Sequence, residues 1–325
     1  MKELFKKISQ PIESELKDFD KFFNNSLESD VKIINTIVRY IVRKKGKRLR
    51  PRLCLLSAKI CNKINEDTYK TASLLEILHV ATLIHDDVVD ESDLRRGWPS
   101  VNRVWKNKLS ILIGDFLFSK ALTNMANINS IESVKILANL ASRLSQGEIL
   151  QIEKALNKTM DEDTYFKMIS DKTASLFSAS CQLGALTVTD DRKKIEALSE
   201  FGELLGQAFQ IKDDLFDIVG NIDNTGKPSG YDLKRNMLTL PLIHILNNKS
   251  SIQKTSFKIK LRILSKRNKL NQIRDIIINE GGLDYANKKL EELSSAAFEK
   301  LNIFEDSYIK EAFNSILKFN ISRNI

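Results

Sequence analysis

Apolar side chains recur every three to four residues over most of the chain, which is the spacing of an amphipathic helix. Each apolar stretch is followed by a break rich in polar residues, and the alternation that is typical of strands is absent. The last third predicts shorter helices that end near Phe319. The pattern therefore predicts an all-α fold. The longer predicted helices lie at 30–45, 51–64 and 68–92 and, approximately, at 110–127, 131–156, 161–187 and 191–219.

Two breaks interrupt the helical pattern most clearly. The stronger one, GNIDNTGKPSGYD at 220–232, holds three of the twelve glycines and one of the five prolines. The other, DLRRGWPS at 93–100, follows the third predicted helix. No linker rich in Ser, Gly or Pro divides the 325 residues, and 42% of them are apolar, which is enough for a large core. We therefore expect residues 1–325 to form a single domain.

Composition limits the class of protein. The N-terminus lacks the apolar segment of a signal peptide, and no run reaches the roughly 18 to 20 apolar residues that span a bilayer. Cys54, Cys61 and Cys181 are widely spaced, odd in number and set among apolar residues, as expected of buried thiols in a reducing compartment. These features predict a cytoplasmic protein without a transmembrane segment.

The net charge of +9 comes mostly from scattered lysines in a chain rich in Ile and Asn, which favours a compositional bias over a face that binds polyanions. One segment, VRKKGKRLRPR at 42–52, differs because it concentrates seven cations around Gly46 and Pro51. This segment predicts a local site for an anion.

Two short stretches place aspartates within otherwise apolar helices. LIHDDVVD at 83–90 and FQIKDDLFD at 209–217 each set three aspartates so that the first and third lie one helical turn apart. Carboxylates in this arrangement repel one another and destabilise a helix end unless a cation binds. Ligand sets made of oxygen alone favour Mg²⁺ over Zn²⁺. The aspartates are Asp86, Asp87 and Asp90 in the first group and Asp213, Asp214 and Asp217 in the second.

One such stretch alone would more often be a solvated helix end. Two copies, each within apolar sequence and each beside Lys or Arg, favour a magnesium site, because Mg²⁺ commonly takes one or two carboxylates together with phosphate oxygens. Two facing groups would hold several ions with a diphosphate between them. Arg95 and Arg96 follow the first group and can bind diphosphate oxygens in a fork geometry. Lys47, Arg48 and Arg50 form a second candidate anion site.

Five motifs, in order along the chain, resemble those of the trans-isoprenyl diphosphate synthases, the polyprenyl synthetase family. Each motif is uninformative alone, but their order and spacing are specific, and the resemblance covers essentially the whole chain. It implies an isoprenoid synthase fold, a helical bundle around a deep central cavity, and usually a homodimer. The motifs are KGKRLRP (45–51), LHVATLIHDDVVDESDLRRG (78–97), DKTASLF (171–177), AFQIKDDLFD (208–217) and GKPSGYD (226–232).

The resemblance implies that both aspartate groups hold Mg²⁺, three ions per active site, on the diphosphate of an allylic substrate. The allylic C–O bond would ionise, the double bond of isopentenyl diphosphate would attack the carbocation, and the released diphosphate would take the proton that leaves. No nucleophilic side chain is needed. The residues expected to carry catalysis are Asp86, Asp213, Lys172, Thr173 and Gln210, the last two by placing oxygen dipoles near the cation.

The resemblance also assigns cations to the two substrates. Arg95, Lys172 and Lys227 would contact the allylic diphosphate. His85 is expected to orient carboxylates or to cap its helix. The family commonly carries a second Lys after the GKPSGYD motif, and in this chain Met237 occupies that position. Lys234 or Arg235 would have to make the missing diphosphate contact instead. The residues expected to bind isopentenyl diphosphate are Lys47, Arg50, His79 and Arg96.

Product length should depend on the residues that precede the first aspartate group, where the growing chain would enter a tunnel. Ala81 and Thr82 are small, whereas short-chain members of the family tend to carry aromatic residues there. An open tunnel favours a long product of the octaprenyl, heptaprenyl or solanesyl type. The resemblance implies that such a product becomes a quinone side chain, and we expect transient membrane association for its release. Leu74, Leu78 and Met125 are candidates for the tunnel floor.

Other functions remain alternatives at this stage. A terpene cyclase shares the helical fold, but its second metal motif mixes Asn, Ser or Thr and Glu, and FQIKDDLFD does not fit it. A short-chain synthase for farnesyl or geranylgeranyl diphosphate differs only in the tunnel. A non-catalytic subunit of a heteromeric prenyltransferase would typically lose aspartates that are intact here. A nucleic-acid-binding protein is suggested by charge alone, and six clustered aspartates argue against it.

Overall fold

The computed structural model describes residues 2–43, 46–95, 97–219, 237–267 and 269–323. Helices make up nearly all of the regular structure in these ranges, which confirms the all-α prediction. A 3₁₀ turn at Gln10–Ile12 joins the first two helices. The helices as far as the first aspartate group are α1 (Lys2–Ser9), α2 (Glu13–Ser26), α3 (Lys32–Arg43), α4 (Leu49–Cys61) and α5 (Glu66–Val89).

The middle of the chain carries the longest helices. One turn of π-helix, Ser170–Ala174, joins two of them without a break. These helices are α6 (Val101–Ala126), α7 (Ile131–Asn157), α8 (Glu162–Ile169), α9 (Ser175–Leu186) and α10 (Arg192–Val219).

Shorter helices follow residue 237, as the sequence pattern predicts, and a 3₁₀ turn at Lys300–Ile303 precedes the last of them. They are α11 (Leu240–Asn247), α12 (Ser251–Lys266), α13 (Leu270–Asn279), α14 (Gly282–Glu299) and α15 (Tyr308–Ser322).

The structure differs from the predicted boundaries in three places. The break at 93–100 contains a small antiparallel hairpin, β1 (Leu94–Arg95) and β2 (Trp98–Pro99), whose strands are too short to produce an alternating pattern. Helix α6 begins about nine residues earlier than expected, because the chain is interrupted at Lys106, whose φ is 69°, and the clear periodicity starts only beyond that point. The two N-terminal helices were not predicted.

Helix α5 begins and ends where its sequence dictates. Asn65 caps its N-terminus in a capping box, in which the Asn65 side chain accepts from the Thr68 amide at 3.0 Å and the Thr68 hydroxyl accepts from the Asn65 amide at 3.3 Å. At the other end Asp90 lies at the C-cap. The first aspartate group therefore occupies the final turn, where the negative end of the helix dipole adds to the repulsion among carboxylates.

Helix α5 is enclosed by its neighbours α4, α6 and α9. Leu74, Leu75, Ile77 and Leu78 point in several directions around it, and each side chain is exposed by 1% or less. Helix α10 packs against α9 and α14. Both aspartate groups are thus carried by helices that the apolar core holds on several sides.

Several residues singled out in the sequence lie outside the described residues. They include the whole of the break at 220–232 and the cations Arg96, Lys227, Lys234 and Arg235.

Candidate active site

A cleft of about 480 Å³ opens between the helices that carry the two aspartate groups. Asp86 and Asp90 line it from α5, and Asp213 and Asp214 line it from α10. Helices α7 and α8 and the π-helical turn complete its walls. The structure thus brings together four of the six aspartates that the sequence predicts to act together.

The first group divides between two environments. Asp86 and Asp90 face the cleft, as their spacing of one turn requires. Asp87 is buried and accepts a hydrogen bond from Nε of Arg95 at 2.9 Å, and it lines a neighbouring apolar cavity of about 90 Å³. Arg95 borders both spaces. The Arg95 guanidinium therefore lies beside the cleft and is held there by Asp87.

The second group is held by three neighbours. Asp214 is buried, and its two carboxylate oxygens accept hydrogen bonds from the Tyr165 hydroxyl and the Gln210 amide, both at 2.7 Å. Both bonds lower the pKa of Asp214 against the effect of burial. Asp213 accepts from Arg323 at 2.7 Å. Asp217, one turn after Asp213, is partly buried and is not among the residues that line the cleft.

The carboxylates in the cleft carry raised pKa values. Burial raises the pKa of Asp86 to about 6, although Lys172 lowers it. Burial also raises the pKa of Asp214 to about 7, and it raises that of Asp213. A carboxylate that is costly to ionise when alone becomes favourable to ionise beside a bound cation. The electrostatics of the cleft therefore suit a divalent ion.

The donor set fits magnesium in particular. Within the described ranges, no three His, Cys, Asp or Glu side chains converge closely enough to hold a metal ion by themselves. Carboxylate oxygens suit Mg²⁺, which keeps several waters and takes one or two carboxylates with substrate phosphates. Asp86 and Asp90 on one wall and Asp213 on the other supply carboxylates of this kind.

The π-helical turn places Lys172 and Thr173 on the wall between the aspartate groups. Lys172 forms an ion pair with Glu148 and donates to Gln151 Oε1 at 3.0 Å. Thr173 donates to Gln210 Oε1 at 2.7 Å, and Gln210 in turn donates to Asp214. These bonds connect the turn to the second aspartate group.

Two contacts fix the backbone of this turn. Gly147 of α7 approaches so closely that a Cβ there would lie 2.5 Å from the Lys172 amide nitrogen. Arg143, one turn earlier on α7, donates to Asp171 at 2.8 Å, to Ser170 at 2.8 Å and to Glu203 of α10 at 2.7 Å. The turn is therefore clamped between α7 and α10. A π-helical turn commonly marks a functional position.

A second, basic cavity of about 510 Å³ adjoins the cleft and shares Arg50, His79 and Phe209 with it. Arg50 Nη1 lies 3.0 Å from His79 Nε2, and the Arg50 guanidinium lies over the Phe177 ring at 4.7 Å. Lys47 lies over the Phe319 ring at 4.6 Å. These contacts hold Lys47 and Arg50, two cations of the segment at 42–52, around one space, as expected of a site for an anion.

The predicted tunnel residues lie deeper in the molecule than the cleft. Ala81, Leu78 and Met125 belong to the main apolar core and are exposed by 2%, 1% and 2%. Leu74, the fifth predicted tunnel residue, is fully buried as well, and Thr82 lines the cleft itself. The tunnel therefore stays a prediction, with Thr82 at its entrance and the other four residues behind it.

His85 and Met237 occupy different surroundings. His85 turns towards α6, where its Nε2 lies 3.2 Å from the Ile111 carbonyl oxygen and 3.4 Å from Asp115. These contacts suit a residue that joins two helices, and His85 is not among the residues that line the cleft. Met237 does line the cleft.

Sequence reasoning missed the residues that support the site. Tyr165 and Arg323 hold the second aspartate group, while Glu148 and Gln151 hold Lys172. Arg323 is the greatest omission, since it lies 110 residues from Asp213 along the chain. No local pattern marks such a pair. Glu148 and Gln151 could have been inferred from their spacing on one face of a helix that carries Gly147.

The chain is similar to proteins of one family. The family model described as Polyprenyl synthetase matches residues 31–277. An all-trans-nonaprenyl-diphosphate synthase (geranyl-diphosphate specific) of Rhodobacter capsulatus is 33% identical over 97% of both chains. Heptaprenyl diphosphate synthase component 2 of Bacillus subtilis is 31% identical over 97% of this chain and 90% of its own. The crystal structure of a Caulobacter crescentus polyprenyl synthase complexed with calcium and isoprenyl diphosphate superposes with a TM-score of 0.90, at 32% identity and 98% coverage of both chains.

Proposed function

Because the chain belongs to the polyprenyl synthetase family, we propose that it is a prenyltransferase that lengthens an allylic diphosphate with successive isopentenyl diphosphates to a long all-trans polyprenyl diphosphate. One observation carries the proposal. Two aspartate groups from α5 and α10 face one cleft, and a basic cavity adjoins it. The cleft and the basic cavity would thus each bind one of two anionic substrates, and the reacting ends of both substrates would meet where the two spaces adjoin.

The sequence predicts all six aspartates as ligands, and we propose that the four that line the cleft, Asp86, Asp90, Asp213 and Asp214, hold magnesium. Asp87 is held by Arg95 beside the neighbouring cavity, and Asp217 does not line the cleft. Mg²⁺ supplies electrostatic stabilisation to the diphosphate as it leaves the allylic carbon. We propose three ions per active site. The calcium and isoprenyl diphosphate bound by the Caulobacter protein support a divalent ion beside a substrate of this class.

On the allylic side, the chain's own cations bind the diphosphate. Lys172 and Arg95 border the cleft beside Asp86, and Lys227 is proposed to join them. Thr173 and Gln210, joined by a hydrogen bond of 2.7 Å, place oxygen atoms where the allylic carbon becomes positive. The cleft needs no nucleophilic side chain.

On the isopentenyl side, Lys47, Arg50 and His79 surround the second cavity, and Arg96 is proposed to complete the set. Arg50 and His79 border both spaces, so they would hold the diphosphate of isopentenyl diphosphate while its double bond points into the cleft. The proton lost after condensation would pass to the released diphosphate. Holding both reactants in line would supply much of the rate enhancement.

Two observations support a long product. Ala81 and Thr82 are small, whereas short-chain members of the family tend to carry aromatic residues before the first aspartate group. The relatives described above are named for nonaprenyl and heptaprenyl products. We propose a product of six to nine isoprene units, used for a quinone side chain. A short-chain synthase for farnesyl or geranylgeranyl diphosphate is the alternative.

We further propose a homodimer assembled through α6. Among the helices described, α6 is the one long and apolar enough to cross a membrane, and about a third of its most apolar stretch is buried. Beyond the interruption at Lys106, Ile111, Phe118 and Leu122 follow one another at intervals of seven and four residues and are each exposed by 37% or more. Such a stripe on one helix face suits a second copy of the same helix.

Two alternatives concern partners and location. The Bacillus relative is named as a component, so a heteromeric partner could take the place of the second copy. We propose a cytoplasmic enzyme because Cys54 and Cys181 are free and buried. We also propose that the enzyme contacts a membrane transiently to release its apolar product. The pairing of Phe5 with Phe319, whose ring centroids are 6.0 Å apart, supports a single domain over 1–325.

One assay tests the proposal. Purified protein is incubated with Mg²⁺, labelled isopentenyl diphosphate and farnesyl diphosphate, and the dephosphorylated products are sized. We expect Mg²⁺-dependent incorporation into chains of six to nine units. Asp86→Ala and Asp213→Ala should each lower turnover by roughly a thousandfold, because each removes a carboxylate that stabilises the charge on the leaving group. Cyclic products without incorporated label, or no product at all with and without a partner subunit, would contradict the proposal.

A further inference from the structure

Helix α12 (Ser251–Lys266) has a composition unlike that of any neighbouring element. Residues 249–269 hold eight Lys or Arg and no Asp or Glu, so this short segment alone carries nearly as much charge as the net +9 of the whole chain. The interpretation of the charge as scattered lysine overlooked this concentration. The cations are Lys249, Lys254, Lys258, Lys260, Arg262, Lys266, Arg267 and Lys269.

The helix has two apolar faces. One face packs inward, where Phe257 and Leu261 are exposed by only 7% and 5%. The opposite face carries Ile252, Ile259 and Ile263, which are exposed by 85%, 56% and 46%. At 100° per residue these three isoleucines lie within about 40° of one another around the helix and span about 16 Å along it.

The cations flank the isoleucine stripe on both sides. Helical geometry places Lys260 and Arg267 on one side of it and Arg262 and Lys266 on the other. Within the described part of the chain, none of these four cations forms an ion pair. An apolar stripe bordered by cations on both sides is the arrangement of helices that lie in a bilayer interface.

We propose that α12 docks the protein on the surface of an anionic lipid bilayer. The isoleucines would enter the boundary between headgroups and acyl chains, and the flanking cations would contact the anionic headgroups. Charge complementarity decides the partner. A second copy of α12 would bring two strongly basic helices together, and a nucleic acid would have no use for three exposed isoleucines.

The position of α12 relates this surface to the cleft. Lys258 Nζ donates to the carbonyl oxygen of Lys158 at 3.3 Å, and Lys158 is one of the residues that line the cleft. A protein docked through α12 would therefore hold one edge of the cleft near the bilayer. The docking surface specifies how the membrane contact in the proposed function would occur, and its biological purpose rests on that function. Binding to lipid itself requires no turnover.

The test is co-sedimentation of the full chain with vesicles of phosphatidylcholine, with and without phosphatidylglycerol. We expect binding only with the anionic lipid, and weaker binding at about 0.5 M than at about 0.1 M NaCl, because salt screens exposed charges. Lys260→Gln with Lys266→Gln should weaken binding roughly 25-fold, at about fivefold per cation. Ile252→Gln with Ile259→Gln and Ile263→Gln keeps every charge and should weaken binding at least about tenfold.

Matched controls lie elsewhere on the surface. Ile131→Gln changes an isoleucine that is exposed by 72% on α7, and Lys318→Gln changes an exposed lysine on α15. Both should bind vesicles as the unaltered protein does. Prenyl transfer measured in detergent should be unchanged in the triple isoleucine variant, so failure of docking and failure of the proposed reaction can be told apart.

Three results would overturn the inference. The first is that the unaltered protein fails to bind anionic vesicles. The second is that the triple isoleucine variant binds them as tightly as the unaltered protein does. The third would be binding of a generic RNA that is as tight as binding to vesicles and indifferent to the isoleucines, which would make α12 a nucleic-acid surface instead.

Discussion

Replacing Gly147 by Ala tests how far the reaction depends on the π-helical turn. A Cβ at this position would lie 2.5 Å from the backbone nitrogen of Lys172 and 2.9 Å from its Cα. Ordinary contact begins at 3.4 Å, so the turn must move by about 0.9 Å, and a backbone cannot rotate aside as a side chain can. Lys172 and Thr173 would move with it.

The expected cost is kinetic more than thermodynamic. A shift of about 1 Å in a group that orients a reactant can lower the rate by about a hundredfold. The overpacking itself should cost about 1 to 3 kcal/mol of the free energy of unfolding. Steady-state assays with labelled isopentenyl diphosphate should show kcat falling by roughly a hundredfold, and chemical denaturation should show a folded protein of reduced stability.

Gly184→Ala is the matched control. A Cβ at Gly184 would lie 2.3 Å from the carbonyl oxygen of Cys54, so it overpacks the α4–α9 contact in the core to a similar degree. It should lower stability comparably and leave kcat within a few-fold of the unaltered protein. If both variants lose the same fraction of kcat, the position of the turn does not govern the reaction and the reasoning fails.

Three further outcomes follow from the site. Ala81→Phe should shorten the product to about farnesyl or geranylgeranyl length, and an unchanged distribution on sizing would mean that the tunnel does not pass Ala81. Burial raises the pKa of Asp86 to about 6 and that of Asp214 to about 7, so protons compete with the metal for these carboxylates. Mg²⁺ affinity measured by calorimetry should therefore rise between pH 6 and pH 7 and level off above about pH 8. A flat profile would contradict the raised values. Tyr165→Phe removes a hydrogen bond that lowers the pKa of Asp214, and the pKa of Asp214 should therefore rise further. Mg²⁺ affinity at pH 7 should fall about tenfold or more, and raising the pH to about 9 should restore it. A loss that persists at high pH would show a different role for the phenol.

The helical class and the facing aspartates could be predicted because both depend on local spacing. Apolar residues every three to four positions predict a helix whatever surrounds it, and carboxylates one turn apart must share a face. Asp86 and Asp90 accordingly share the cleft. Asp87, between them, points elsewhere, and its pairing with Arg95 depends on where the hairpin after α5 turns back.

The supports of the site could not be predicted, because they depend on tertiary packing. Arg323 reaches Asp213 because α15 packs near α10, and nothing near either residue encodes the pair. The interruption at Lys106 and the π-helical turn are departures from regular geometry that periodicity does not reveal. The surface of α12 could have been noticed in the sequence, since eight cations without a carboxylate are visible there, but only the exposed isoleucines give them a purpose.

A crystal structure with Mg²⁺ and a non-reactive thio-analogue of an allylic diphosphate tests the central claim most directly. The account predicts magnesium ions held between the analogue's diphosphate and carboxylates from both walls, with Asp86 and Asp90 on one side and Asp213 on the other. An analogue bound without any ion on these aspartates, or bound away from the cleft between α5 and α10, would contradict it.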